Sequence, residues 1–128
     1  MTGAVTEADG LATAADGTPV AVPSGQALSL QDVIWEDDSG DGSLLRARFV
    51  APQIARGQGG LDEETVQVDM QFLCESFVLT RLPKNRVPAH VIISLSDRAL
   101  PFGEADPEAT QLFESYAIDK GACIWEFY

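Results

Sequence analysis

Two cysteines are the most informative reactive residues in this chain of 128 residues. Cys74 falls on the apolar face of a predicted helix and Cys123 in a predicted C-terminal strand, so both should face one core. They are either two buried free thiols or a disulfide that closes a loop of about 50 residues. No Cys-x-x-Cys spacing is present and the neighbouring Glu75 disfavours a thiolate, so a catalytic pair is not expected. A disulfide would imply an oxidising compartment.

The single histidine, His90, opens a predicted strand, where a structural role is the simpler interpretation. A Ser–His–acid site needs the histidine beside its serine, but Ser94 would lie roughly 13 Å farther along the same strand. One histidine and two distant cysteines do not form a zinc-ligand pattern. The sequence therefore predicts no catalytic residue, metal site or cofactor. A small hydrolase-like enzyme that uses His90 or paired carboxylates, such as Glu104 with Glu114 or Glu126, stays an alternative.

The acidic stretch at residues 37–42 (DDSGDG) is similar to the first half of a calcium-binding EF-hand loop. Asp37, Ser39 and Asp41 match its first three ligand positions, but position 12 is Arg48 instead of a bidentate Glu. The flanking residues also favour strands over helices. We therefore expect a solvated hairpin turn here, with weak Ca²⁺ binding as the alternative.

A candidate ligand-binding loop follows at residues 97–108, which combine charged residues, an apolar Phe and tight turns. Its candidate binding residues are Arg98, Phe102 and Glu104, because loops held by a rigid scaffold often carry function. The simpler interpretation is a surface connection in which Arg98 pairs with a local carboxylate.

The charge of the chain narrows the classes of partner. Twenty Asp and Glu against eight Lys and Arg give a net charge of −12, which disfavours binding to nucleic acids and anionic membranes. Residues 1–19 are acidic and contain no aromatic residue, so we expect a flexible leader there and a single domain over residues 20–128. Residues 1–20 lack the basic start and apolar run of a secretory signal, and no stretch is apolar enough to insert into a membrane.

Hydrophobic periodicity predicts two strands near the start of the domain. Residues 27–36 form the first, with a bulge near Gln31 and Asp32. Residues 44–50 form the second, in which Leu45, Ala47 and Phe49 share one face. The acidic turn between them completes a β-hairpin.

A helix is predicted over residues 62–80. Asp62 is a suitable N-cap, and Val66, Met70, Leu73 and Phe77 repeat with a period near 3.6. Pro83 should stop the helix.

The remaining pattern predicts a buried strand at residues 91–96 and a closing hairpin from 109–117 and 122–128. A helix over 108–117 is the alternative for the first arm. The element order ββαβββ predicts an α+β fold: an antiparallel sheet of about five strands with one main helix on one face.

Seven short strings together resemble an uncharacterised bacterial family of small domains, some members of which carry an acetolactate synthase label that these residues do not support. The strings are VPSG (22–25), RFVAPQIAR (48–56), DMxxLC (69–74), VIISLxDR (91–98), PFGE (101–104), TQLFE (110–114) and GACIWE (121–126). The resemblance covers about residues 20–128 and implies no activity. Relatives often begin with a secretory leader, which favours a disulfide between Cys74 and Cys123.

We therefore expect a non-enzymatic domain of the bacterial envelope, periplasmic or secreted, that binds a protein or small molecule; a cytoplasmic location is the alternative. An acidic inhibitor or nucleic-acid mimic acting through residues 32–41 is a third hypothesis. The oligomeric state is not predicted, although the open edges of the sheet could pair with another copy.

Overall fold

The computed structural model describes residues 17–38, 42–55, 61–83, 86–104 and 106–126. Five strands form one sheet in the order β1-β2-β3-β4-β5, and a helical segment covers one of its faces. The strands are β1 (Ser29–Asp38), β2 (Gly42–Val50), β3 (His90–Ser96), β4 (Gln111–Asp119) and β5 (Ala122–Glu126). This is the α+β fold that the sequence predicts.

The first hairpin agrees with the alternation in its sequence. β1 and β2 are antiparallel, and their register shifts between Leu30 and Asp32, where the bulge was predicted. Leu45, Ala47 and Phe49 are fully or almost fully buried. The bulge changes which side chains of β1 face the core, because an extra residue reverses the alternation beyond it.

The sheet differs from the expected antiparallel arrangement at one pair of strands. β2 and β3 are parallel, with Leu45 opposite Val91, whereas the other three pairs of strands are antiparallel. Two parallel strands need a connection that carries the chain from the end of the first strand back to the side of the sheet where that strand began. The helical segment between β2 and β3 is that connection.

The helical segment begins at the predicted N-cap. The Asp62 side chain accepts a hydrogen bond from the Thr65 backbone N–H, and α1 (Glu63–Phe72) follows. The helix continues as a π-helical turn over Leu73–Val78 and a 3₁₀ turn over Leu79–Arg81. A π-helical turn contains more residues than an α-helical turn. Its buried residues are two adjacent pairs, 73–74 and 77–78.

The core lies between the helical segment and the face of the sheet beneath it. Phe77 packs edge-on against Phe49, with ring centroids 5.8 Å apart. Met70, Ile93 and Tyr116 are at most 2% exposed and fill the same layer. Burial raises the pKa of the Tyr116 hydroxyl well above its ordinary value, with a further rise from the nearby carboxylates of Glu114 and Glu75.

The closing hairpin decides the one open question about secondary structure. Residues 111–119 form β4, so the alternative of a helix over 108–117 is wrong. β4 and β5 are joined by Lys120 and Gly121, whose φ angles are 53° and 80°. Positive φ at both central residues is the geometry of a tight hairpin turn.

One buried carboxylate attaches the segment before β1 to the helical segment. Asp69 on α1 is fully buried and accepts hydrogen bonds from the Ser24 N–H, the Ser24 hydroxyl and the Gln26 amide. Pro19 forms a bridge with Ser29 in β1. Residues 17–19 of the expected leader therefore contact the sheet, and residues 1–16 lie outside the described residues.

Candidate functional site

The face of the sheet opposite the helix carries most of the polar residues that could do chemistry. Arg46 and Arg48 project from β2, and Ser94 lies opposite Arg48 on β3. Phe113 of β4 is the partner of Ser94. Alternation along each strand places these four side chains on one surface. The described residues leave this surface without a helix above it, and the loop that contains Phe102 covers part of it.

Two guanidinium groups lie beside the Phe102 ring. The Cζ atoms of Arg46 and Arg48 lie 5.5 and 5.4 Å from the ring centroid. Each arginine also has a carboxylate partner on β1: Arg46 Nε donates to Glu36 at 2.8 Å, and Arg48 Nη1 donates to Asp32 at 2.9 Å. The cations are thereby held in place beneath an aromatic ring.

Arg48 is the more deeply held of the two arginines. The residue is only 8% exposed, and a second nitrogen, Nη2, donates to the backbone carbonyl of Leu100. Gln31 donates to the same carbonyl at 2.6 Å. Leu100 thus connects the loop before Phe102 to the bulge of β1, and the loop is fixed where it enters the site.

These groups surround a cavity of about 240 Å³, which we call the Phe102 cavity. Its lining residues come from β2, β3, β4 and the loop: Arg46, Arg48, Ser94, Pro101, Phe102, Gly103, Glu104, Gln111 and Phe113. Ser94 is only 4% exposed, and within the described residues its hydroxyl makes no hydrogen bond. The cavity therefore offers hydrogen-bond donors together with two aromatic rings.

The three predicted binding residues have different places. Phe102 and Glu104 line the cavity. Arg98 does not; it pairs with Asp97 at 3.1 Å and with Asp106 at 3.7 Å. The hydrogen bond that Arg98 donates to the Asp97 carboxylate raises the pKa of the exposed Arg98 guanidinium. Arg98 therefore pairs with local carboxylates, as the simpler interpretation of this loop expected.

His90 belongs to a different cluster at the far end of the same face. Its Nδ1 lies 3.1 Å from Glu126 Oε1, and the Ser115 hydroxyl donates to that same oxygen at 2.9 Å. A hydrolytic triad needs the histidine between the serine and the acid. Here the carboxylate is in the middle, so these three residues do not have the order that activates a serine. Glu126 belongs to this cluster and Glu104 lines the Phe102 cavity, so the two carboxylates are in separate clusters.

The acidic region at residues 32–41, the candidate surface of a nucleic-acid mimic, is partly neutralised where the structure describes it. Asp32 and Glu36 are ion-paired with the two arginines of β2, which leaves less unpaired negative charge for a nucleic-acid mimic. The EF-hand-like positions 39–41 lie outside the described residues. Among those that are described, no group of three or more metal-ligating side chains occurs.

The two cysteines form a disulfide between the π-helical turn and β5, so they are not free thiols. Two helix side chains flank it: Gln71 donates to the Cys123 carbonyl at 2.8 Å, and Glu75 accepts the Cys123 N–H at 2.9 Å. β5 is an edge strand, and these two side chains bind the N–H and C=O of Cys123 as a neighbouring strand would. β5 is attached to the helix covalently and by both of its backbone groups at this residue.

Arg46 and Arg48 were not predicted as site residues, although they alternate with the buried residues Leu45, Ala47 and Phe49 along β2. A pair of cations on a strand face is a weak signal by itself, since such residues usually face solvent. The burial of Arg48 becomes visible only when the loop containing Leu100 is placed beside β2.

A family model matches residues 4–128, nearly the whole chain; it describes a family of unknown function, DUF6497. Neither the curated proteins nor the solved structures contain a match to this chain. Among the described residues, no helix has the length and apolar character needed to cross a membrane.

Proposed function

Since the chain belongs to the DUF6497 family, whose function is unknown, we propose a function from its chemistry: a non-enzymatic binding domain of an oxidising compartment. The periplasm or the extracellular space is the compartment proposed. The Phe102 cavity is its binding site, and the ligand is a small organic carboxylate with an apolar body. The observation that carries the proposal is the pair of arginines beneath the Phe102 ring.

Hydrogen-bonding capacity at Arg46 favours an anionic oxygen ligand. A guanidinium has five N–H donors. Within the described residues only Nε of Arg46 has a partner, Glu36, so the terminal nitrogens can bind a carboxylate. The hydroxyl of Ser94 and the amide of Gln111, which line the same cavity, add further donors. Bidentate pairing with arginine is the geometry that carboxylates prefer.

The aromatic rings and the size of the cavity limit the rest of the ligand. Phe102 and Phe113 are 52% and 54% exposed, so an apolar body of a ligand would cover surface that water now reaches. The volume of about 240 Å³ is below the usual 300–1,000 Å³ of pockets for drug-sized ligands. Glu104 at the rim disfavours ligands with more than one negative charge. A small monocarboxylate satisfies these conditions.

The compartment is proposed from the disulfide. Structural disulfides are common in exported proteins and rare in the cytosol, where thiols are kept reduced. The test is to denature cells that produce the protein in an excess of alkylating reagent, before any reduction, so that buried free thiols would also react. Complete protection of Cys74 and Cys123 from the alkylating reagent until reduction supports the proposal, and alkylation of both without reduction refutes it.

Ligand binding is tested with benzoate and with benzamide, its uncharged counterpart of similar shape. We expect benzoate to shift NMR resonances of Phe102 and Arg46 and to bind about tenfold more tightly than benzamide, as a charge-assisted hydrogen bond predicts. Arg46→Gln should remove this preference. Equal binding of the two compounds to the unmodified protein would refute the carboxylate site.

Arg86→Gln is the matched control for the loss of a cation. Arg86 also lies over an aromatic ring, with its Cζ 3.8 Å from the Trp35 centroid. Trp35 lies opposite Leu45 in the sheet, on the other face from the Phe102 cavity. The control variant should retain the preference for benzoate, whereas a loss there would show that net charge, and not the cavity, sets the affinity.

A further inference from the structure

A second concave surface lies on the helix side of the sheet. Two adjoining cavities of about 320 and 190 Å³ run between α1 and the strands β4 and β5. Gln67 and Glu114 line both, so the two form one continuous surface, which we call the helix–sheet groove. It shares Phe113 with the Phe102 cavity but contains neither Arg46 nor Arg48. The inference drawn from it does not rest on the carboxylate site proposed above.

The groove exposes apolar side chains that the core does not use. Val68 is 53% exposed, Trp125 44% and Leu112 38%. They come from the helix, β5 and β4, so exposed apolar side chains of three elements line the groove. Such a surface, bordered by polar residues, is typical of an interaction site.

The border of the groove is acidic. Glu63 and Glu64 line it from the first turn of α1, together with Asp62, and Glu114 lines it from β4. Among its described lining residues there is no Lys, Arg or His. Glu114 accepts a hydrogen bond from the Trp125 indole at 2.5 Å, which places a carboxylate directly beside the largest exposed ring.

We propose that the helix–sheet groove docks an extended segment of a partner protein in which apolar residues alternate with Lys or Arg. The apolar side chains would cover Val68 and Trp125, and the cations would pair with the carboxylates of the border. From Glu63 to Gln71 the helix rises about 12 Å, which is the length of about four residues of an extended chain. The groove therefore accommodates a short linear motif.

Charge argues against the other occupants of such a surface. A second copy of this chain also carries a net charge of −12, so the approach of two acidic surfaces is repulsive. Nucleic acid and anionic lipid are repelled for the same reason. A cationic segment gains both long-range attraction and the burial of apolar surface.

The test uses two short synthetic peptides, one of alternating leucine and lysine and one of alternating leucine and glutamate. We expect the lysine peptide to shift the indole N–H resonance of Trp125 and the amides of Val68 and Gln71, and the glutamate peptide to leave them unchanged. Raising the salt concentration from about 0.1 M to about 1 M shortens the Debye length to about 3 Å, so binding should weaken strongly.

Paired substitutions locate the site. Glu64→Gln combined with Glu114→Gln should weaken binding of the lysine peptide about fivefold or more, from the loss of two exposed ion pairs. The glutamine at 114 retains an acceptor for the Trp125 indole. Glu108→Gln removes the same type of charge from an exposed loop outside the groove and should leave the affinity unchanged.

Three results would overturn the proposal. One is equal binding of the two peptides, and another is equal weakening by the paired variant and by the Glu108→Gln control. The third is a concentration-dependent change of the Trp125 resonance without peptide, which would mean that a second copy covers the groove. Thermal melting of each variant verifies that a loss of binding does not reflect unfolding.

Discussion

Replacing the buried carboxylate of Asp69 should destabilise the domain in a way that depends on the replacement. Asp69 is 0% exposed. One oxygen accepts the Ser24 N–H at 3.0 Å, and the other accepts the Ser24 hydroxyl at 2.5 Å and the Gln26 amide at 2.8 Å. These three hydrogen bonds attach the segment before β1 to the helix.

Alanine removes the acceptor for all three donors. Each unsatisfied buried donor costs about 1–3 kcal/mol, and partial relaxation of the segment reduces the sum. We expect Asp69→Ala to lower the free energy of unfolding by about 3–5 kcal/mol, a large fraction of the 5–15 kcal/mol typical of a domain.

Asparagine should be tolerated much better, because the Gln26 amide can adapt. Gln26 Oε1 is buried and has no hydrogen-bond partner in the described part of the chain. If the amide turns over, this oxygen can accept a hydrogen bond from the new amide at position 69. The remaining loss is that of charge-assisted bonds, so Asp69→Asn should cost about 1–2 kcal/mol.

Urea denaturation with the disulfide intact measures both changes, and Glu63→Ala, an exposed substitution on the same helix, is the control. Hydrogen exchange locates the effect: the amides of Val20 and Leu30, which bond to Leu28 and Thr18, should lose protection first in Asp69→Ala. If the alanine variant unfolds within about 1 kcal/mol of the unmodified protein, or if asparagine costs as much as alanine, the reasoning is wrong.

Three further predictions concern local stability. Cys74 and Cys123 are 49 residues apart, so reduction should destabilise the fold by about 4 kcal/mol, seen as a lower melting temperature with reductant. Two hydrogen bonds from Thr65 lower the pKa of Asp62 below 3.8, and the one from the side chain has a larger effect than the one from the backbone. The contribution of this N-cap to stability should therefore be complete above pH 3.8 and be lost as the pH falls through the lowered pKa. Asp62→Asn should not show that loss. NMR titration of Asp62 measures the pKa, and acid unfolding of both proteins measures the loss of stability. Gly121 has a φ of 80°, so Gly121→Ala should lower the free energy of unfolding by about 1 kcal/mol, measured as a lower urea midpoint. An unchanged midpoint would contradict the turn geometry.

The sequence predicts the strongly periodic elements well. The alternation of Leu45, Ala47 and Phe49 identified the buried face of β2, and Asp62 identified the first residue of the helical segment. These patterns depend on the direction of successive side chains within one element, which the backbone geometry sets locally. The bulge near Gln31 was also predictable, since a change in alternation shows it directly.

Two features of the fold were not decided by local pattern. Residues 108–117 fit both a helical stripe and a strand, and pairing with β3 selected the strand. The parallel arrangement of β2 and β3 depends on where the chain returns after the helix. Periodicity describes which face is buried, but it does not state which neighbour a strand takes or its direction.

For the candidate site, the sequence determined the chemical groups and the tertiary structure determined which of them meet. Phe102 and Glu104 were identifiable because an aromatic residue and an acid in a turn-rich loop are a local signal. That Leu100 lies on Arg48, 52 residues away, and that Ser24 binds Asp69, 45 residues away, follows only from packing. Such contacts form when the free energy gained by burying the core between helix and sheet exceeds the entropic cost of closing long loops. Both quantities depend on the whole chain, so a short segment of sequence does not reveal them.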